Sequence, residues 1–186
     1  MDEKQRRSIR LAGYDYAQGG AYFVTVCTHE RKCVFGRIEN GAMRPNVYGN
    51  LVRDEWLKSA ELRLNVVLDE FQIMPNHFHA IVIFTERGSP SVGAHCNAPV
   101  LGPRAHCNAP LQRPARSLAS LVGGFKGSVT RNINLYRAGR NLAPVRVWQR
   151  NYFERIVRDE KELDDTRCYI NENPLAWLTD ENYSGQ

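Results

Sequence analysis

The sequence predicts an α+β sandwich of the ferredoxin-like kind, with a central antiparallel sheet and helices packed on it. Three observations point there. Apolar residues switch along the chain between alternating and helical spacing. Two β-like runs are separated only by Pro75-Asn76, as in a hairpin. The element order is strand, hairpin, helix, strand, strand, helix, strand, helix, which interleaves helices with a sheet.

Ala21 to Thr28 is aromatic and β-branched, follows Gly19-Gly20, and reads as the first strand. Phe35 to Met43, with Asn40-Gly41 inside it, reads as a short hairpin. From Val47 to Leu64, apolar residues recur at Val47, Leu51, Trp56, Leu57, Ala60 and Leu64, the spacing of a helix. Val66 to Met74 is a strand that Pro75 stops, since proline cannot donate to a central ladder.

His77 to Phe84 (HFHAIVIF) is the next strand. His77, His79, Ile81 and Ile83 share one face, and Phe78, Ala80, Val82 and Phe84 the other. Both faces are largely apolar, which predicts a central strand covered on both sides. Ser117 to Tyr136 carries a helical stripe of Leu118, Leu121, Val122, Phe125, Val129 and Ile133, weakened locally by Gly123-Gly124. Val145 to Val157 predicts a further strand and turn. Asp159 to Asn173 predicts a helix, acidic at its start as the macrodipole favours and stopped by Pro174.

The 186 residues suit one domain, with residues 85–116 as a flexible insert. That insert is rich in Gly, Pro, Ala and Arg. It also repeats itself, Ala94-His-Cys-Asn-Ala-Pro99 returning as Ala105-His-Cys-Asn-Ala-Pro110. Two copies are too few for a solenoid, and the prolines oppose a helix. Two His-Cys pairs (His95/Cys96 and His106/Cys107) raise a zinc site, but adjacent ligands diverge and the unit looks copied whole, so duplication in a tolerant loop is the simpler reading.

No stretch approaches the length of a membrane span, and the basic N-terminus has no apolar run behind it, which excludes a secretory signal. Five cysteines at irregular spacing fit reduced thiols, so a cytoplasmic location is expected. The net charge of +5 is unevenly placed. Glu154 is the sole acid between Arg104 and Arg158, whereas Asp159 to Glu172 is strongly acidic. Such a basic stretch suits a polyanion, though it equally suits a solvated surface.

Two groups carry candidate chemistry. On a strand, His77 and His79 point the same way and can reach one ion, which a phosphodiester-cleaving enzyme uses to polarise a non-bridging oxygen. Imidazole suits Mn²⁺, and Mg²⁺ asks for oxygen ligands besides. The same pair can also simply make hydrogen bonds. Tyr169 and Asn173 lie four apart on one helix face; the phenol can form a covalent phosphotyrosine and the amide oxygen can offer a third ligand. Among eight tyrosines, helical spacing alone does not select Tyr169 over Tyr152 or Tyr136.

Met74 to Val82 (MPNHFHAIV) and Tyr169-Ile-Asn-Glu-Asn-Pro174 together resemble the single-tyrosine HUH transposases, and within them the REP-associated tyrosine transposases. Tyr22 to Val26 is similar to that family's first strand, Ser117 to Asn134 to its central helix, and Val147 to Glu154 to its late strand. Nearly the whole chain shares the likeness, except the insert from Thr85 to Arg116.

The resemblance implies an HUH endonuclease fold, with His77 and His79 as metal ligands for Mg²⁺ or Mn²⁺ and Tyr169 as nucleophile. It also implies a 5′-phosphotyrosine intermediate with a free 3′-OH. Asn173 stands where more mobile relatives carry a ligating glutamine. The implied activity is that of a DNA endonuclease and transposase acting in DNA transposition and recombination on hairpin-forming single-stranded DNA. Arg131, Arg146, Arg150 and Arg155 are the candidate phosphate contacts, and Trp148 and Tyr152 (with Phe153) the candidate stacking partners for unpaired bases. The tyrosine helix can complete its own subunit's site or, in a homodimer, that of a second copy. The alternative from another class is a non-catalytic nucleic-acid-binding regulator that keeps the fold.

Overall fold

In the computed structural model, residues 19–85 and 117–183 are described. The duplicated His-Cys segment and nearly all of the expected insert lie outside these residues.

Strands β1 (Gly20–Cys27), β4 (Val66–Ile73), β5 (His77–Phe84) and β6 (Phe153–Val157) form one sheet in the order β4-β5-β1-β6. All its neighbouring pairs are antiparallel. Helix α1 (Val47–Glu61) connects β1 to β4, and α2 (Leu118–Ala138) connects β5 to β6. This is the βαββαβ arrangement of a ferredoxin-like sandwich. The hairpin β2 (Gly36–Glu39) and β3 (Ala42–Pro45) is inserted before α1, and α3 (Glu160–Glu172) follows β6.

Local chemistry sets the element ends. Asn40 (φ 53°) and Gly41 (φ 71°) supply the left-handed pair that a two-residue hairpin turn requires. The Asn46 side chain accepts from the N–H groups of Tyr48 (2.8 Å) and Gly49 (3.1 Å), capping α1. Ser117 caps α2 through the Ser120 N–H, and Asp159 caps α3 through the Glu162 N–H. Gly123-Gly124 does not interrupt α2. Leu121, Val122 and Phe125 around the pair are buried, and that burial outweighs the roughly 1 kcal/mol each glycine costs.

The sheet is covered on both sides. One face, with Tyr22, Val24, Val26, Phe78, Ala80 and Val82, packs on α1 and α2. The other carries Phe23, Ile81 and Val157 against Ile170 of α3. The alternation along β5 read from the sequence is therefore the alternation found.

Two expectations change. The strand expected within Val145–Val157 begins only at Phe153, and before it Trp148 makes a lone bridge to Thr28. Beyond that bridge the Lys126 ammonium draws the carbonyls of Gln149 (2.7 Å), Arg150 (3.1 Å) and Asn151 (3.4 Å) toward α2. Beyond α3 the chain also folds into a short 3-10 turn, Trp177–Thr179, that the sequence pattern did not announce.

Candidate active site

His77 and His79 project from β5 toward the α3 side, and both are fully buried, at 0% and 1% exposure. Each ring is held through Nδ1. That of His77 lies 2.8 Å from the Asn76 amide oxygen, and that of His79 lies 2.9 Å from Thr25 Oγ1 on the paired strand. Fixing Nδ1 leaves Nε2 of each imidazole facing the site, as outer-shell partners do for metal-binding histidines. The ring centroids are 4.4 Å apart.

Asn76, quoted from sequence only as the residue that helps stop a strand, is fully buried and central to this frame. Its amide nitrogen donates to the carbonyls of Arg31 (3.1 Å) and Asn182 (2.7 Å). It thereby ties the His77 ring to the C-terminal segment. That segment brings Asp180 against the histidines, and the ligand atoms of His77, His79 and Asp180 all lie within 4.8 Å of one another. Asp180 has no signal in the sequence pattern. It follows the helix-stopping proline in no recognisable motif, and only the fold of 174–183 carries it to the site.

Asn173, the expected third ligand, is also here and is 2% exposed. Its Nδ2 donates to Asp180 Oδ2 at 2.7 Å. A carboxylate can only accept, so the amide orientation is fixed and Oδ1 is turned away from Asp180. Asn173 Oδ1 and His77 Nε2 are both buried without a hydrogen-bond partner. Two orphaned acceptors beside a carboxylate are what a divalent cation would satisfy, and nitrogen with oxygen donors suit Mn²⁺ or Mg²⁺.

The electrostatics agree. Burial pushes the His77 imidazole down to about 4, against the upward pull of Asp180 and Asn173. Burial, then the neighbouring His77, holds His79 well below its ordinary value. Both rings are thus neutral near pH 7, the form that ligates metal.

Tyr169 sits at the edge of this cluster. Its hydroxyl is 3.5 Å from His79 Nε2, and its ring stands edge-on to His79 (5.3 Å) and to Phe23 (6.0 Å). It is 44% exposed, so the phenol is open to a large substrate. Burial first, and then Asp180 and Glu181, raise its pKa, while Asn173 lowers it. Tyr136 meets Tyr48 edge-on and Tyr152 packs on the α1/α2 core, both away from the histidines. The bidentate Arg167–Asp69 pair (2.9 and 2.6 Å) helps hold α3 over the sheet. Asp69 reaches it from a register shift between Leu68 and Phe71 in β4.

The other candidate residues scatter. Arg131, Arg146 and Arg150 line a cavity beside α2, with Lys126. Arg155 is instead drawn to α3, donating to Thr166 Oγ1 (3.1 Å) and lying 3.5 Å from Glu162. Trp148 is 4% exposed, with its ring packed at 5.0 Å from Phe35 and 5.8 Å from Phe125. Its faces are occupied by core, which corrects the expectation that it stacks on bases.

A central antiparallel sheet flanked by helices thus carries a His–His–Asp cluster next to a tyrosine. In keeping with this, the structure superposes on that of a REP-associated tyrosine transposase bound to a REP hairpin with a TM-score of 0.54. The match covers 90% of this chain and 74% of that one, at 16% identity, and so establishes a shared fold. No protein-family profile matches the chain. It is 40% identical over 178 residues to an uncharacterized protein of Haemophilus influenzae, spanning 96% of this chain and 93% of the relative, and it belongs to that protein's family. Among the described residues no helix is long and apolar enough to cross a membrane.

Proposed function

We propose that this chain is a metal-dependent tyrosine nuclease and strand transferase acting on hairpin-forming single-stranded DNA. The observation that carries the reading is Tyr169, a half-exposed residue whose hydroxyl lies 3.5 Å from Nε2 of a buried, oriented histidine in a three-residue ligand cluster. His77 and His79 would hold a Mn²⁺ or Mg²⁺ ion, with the Asp180 carboxylate and Asn173 Oδ1 beside them. Bound there, the ion would supply polarisation of a non-bridging phosphate oxygen.

Tyr169 supplies the nucleophile. Its raised pKa keeps the phenol protonated near pH 7, so attack requires that proton to leave to solvent. The phenolic oxygen then bonds phosphorus as the P–O3′ bond breaks. The 3′ oxygen departs with a proton from water, leaving a 5′-phosphotyrosine and a free 3′-OH. A 3′-OH attacking that link reverses the step and rejoins DNA.

Incubating the protein with labelled hairpin DNA and Mn²⁺ should give a covalent species on a denaturing gel. Tyr169→Phe should abolish it and still bind DNA. An adduct formed by that variant would sink the assignment, and a wild-type protein that binds without forming any adduct would be the non-catalytic regulator instead.

A further inference from the structure

The α1/α2 side of the sheet, opposite the histidines, holds a cavity of about 230 Å³ where α1, α2, the turn after β1 and the segment before β6 meet. Its apolar lining comes from Ile133 and Val147, both buried, with Val34, Val145 and the Tyr48 ring. The rest of the lining is His29, Lys32, Arg137 and Arg146, and no carboxylate takes part. The acid nearby, Glu30, is engaged by Lys32 at 2.7 Å and lies 3.7 Å from His29. Arg146 acts on it only through longer-range attraction. Among the described residues neither Arg137 nor Arg146 forms an ion pair.

Polar ties fix the shape of this cavity. Asn134 accepts the N–H of Val145 (2.8 Å) and donates to its carbonyl (3.2 Å). Arg137 donates through Nε to the Ala143 carbonyl (2.7 Å) and through Nη1 to the Tyr48 hydroxyl (3.0 Å). A hydroxyl that accepts from a guanidinium keeps its own proton to give. Among the described residues that proton has no acceptor, and Arg137 Nη2 has none either. One phenol and one guanidinium therefore hold donors in reserve beside an apolar lining. That set matches a single carboxylate carried on a flat apolar body. The volume lies below the roughly 300–1,000 Å³ of sites for drug-sized ligands, which limits the body to one or two rings.

We propose that this cavity binds a small aromatic carboxylate, its ring among Ile133, Val145 and Tyr48 and its carboxylate accepting from the Tyr48 hydroxyl and Arg137. Arg146 and Lys32, both exposed, favour the approach of an anion. A ligand seated there bridges α1, α2 and the segment before β6, so it stabilises the folded chain by mass action. Such binding needs neither Tyr169, a metal nor DNA, and stands apart from the nuclease reading.

The test is isothermal titration of the full chain with 2-naphthoate in EDTA and without DNA. Saturable binding in the micromolar to millimolar range is expected, with uncharged 2-naphthamide at least about tenfold weaker. Tyr48→Phe keeps the ring but removes the donor, and should weaken 2-naphthoate about fivefold. Arg146→Ala should weaken it about twofold at low salt and have no effect at high salt. Val145→Phe fills the cavity and should abolish binding of both compounds. Thermal melting checks that each variant is folded, and 2-naphthoate should raise the melting temperature of the wild type.

No saturable binding at millimolar 2-naphthoate overturns the proposal. So does equal affinity for the amide, or undiminished binding by Val145→Phe or by the more conservative Tyr48→Phe. Tighter binding of thymidine monophosphate than of 2-naphthoate overturns the choice of a carboxylate and makes the cavity a nucleotide site instead.

Discussion

The two faces of β5 show how one strand serves opposite ends. Phe78 points to the α1/α2 side, where its ring meets Trp56 at 5.0 Å and Phe125 at 5.2 Å with no polar atom to satisfy. His77 and His79, its immediate neighbours, point to the other side and bury two imidazoles whose Nε2 atoms face a carboxylate and a phenol. The first face gains stability from dry packing. The second carries desolvated polar groups, and buried unpartnered atoms cost about 1–3 kcal/mol each. A strand built for stability alone would have apolar residues at both sites, so the cost on the α3 face points to function there.

That contrast can be broken most directly with neighbouring substitutions. Phe78→Ala should destabilise the fold by about 3–5 kcal/mol in denaturant melts. His79→Ala should leave the protein folded but lower adduct formation at least about a hundredfold, with no rescue by excess Mn²⁺, since a ligand and its hydrogen bond to Thr25 are both lost. Full cleavage by His79→Ala would remove the metal role.

A smaller effect is expected at Asp180. Asp180→Asn keeps the shape but removes the charge, and should weaken Mn²⁺ binding at least about tenfold by titration calorimetry. Unchanged affinity would leave the histidines with Asn173 as the ligand set.

The polar face should also respond to acid while the dry face does not. An unfolded imidazole titrates near 6.5, whereas folded His77 is held at about 4, and His79 moves the same way. Between those values the unfolded chain binds more protons. Metal-free stability should be complete above about pH 6.5 and decline as pH falls toward 4. Guanidinium melts in EDTA measure this, and a slope no smaller in His77→Gln would refute the assignment to that ring.

The smallest effect is expected from the part-buried tie across α3. Asp69→Ala should cost no more than about 1 kcal/mol, because Arg167 is one-third exposed and solvent screens the pair. A larger loss would mean that the clamp, rather than the Ile170 packing, seats the tyrosine helix.

Much of this frame was legible in the sequence because it depends on short-range periodicity. The histidine alternation, the Asn40-Gly41 turn, the acidic start of α3 and its stop at Pro174 all rest on neighbours within a few residues. The segment before β6 was less legible, because Lys126 captures its carbonyls from a distant helix. Trp148 illustrates the same limit: its type suggested a stacking surface, and only the packing of Phe35 and Phe125 shows that its faces are taken.

By itself, then, the sequence determined the order of the elements, the antiparallel hairpin that carries His77 and His79, and the shared direction of those two rings, since a strand's period of two leaves no other choice. Tertiary structure decided which tyrosine meets them, which acid joins them, and how Asn76 and Thr25 orient their rings. Those contacts join residues as much as 106 positions apart, and no local spacing encodes a meeting that depends on where α3 and the C-terminal turn come to rest.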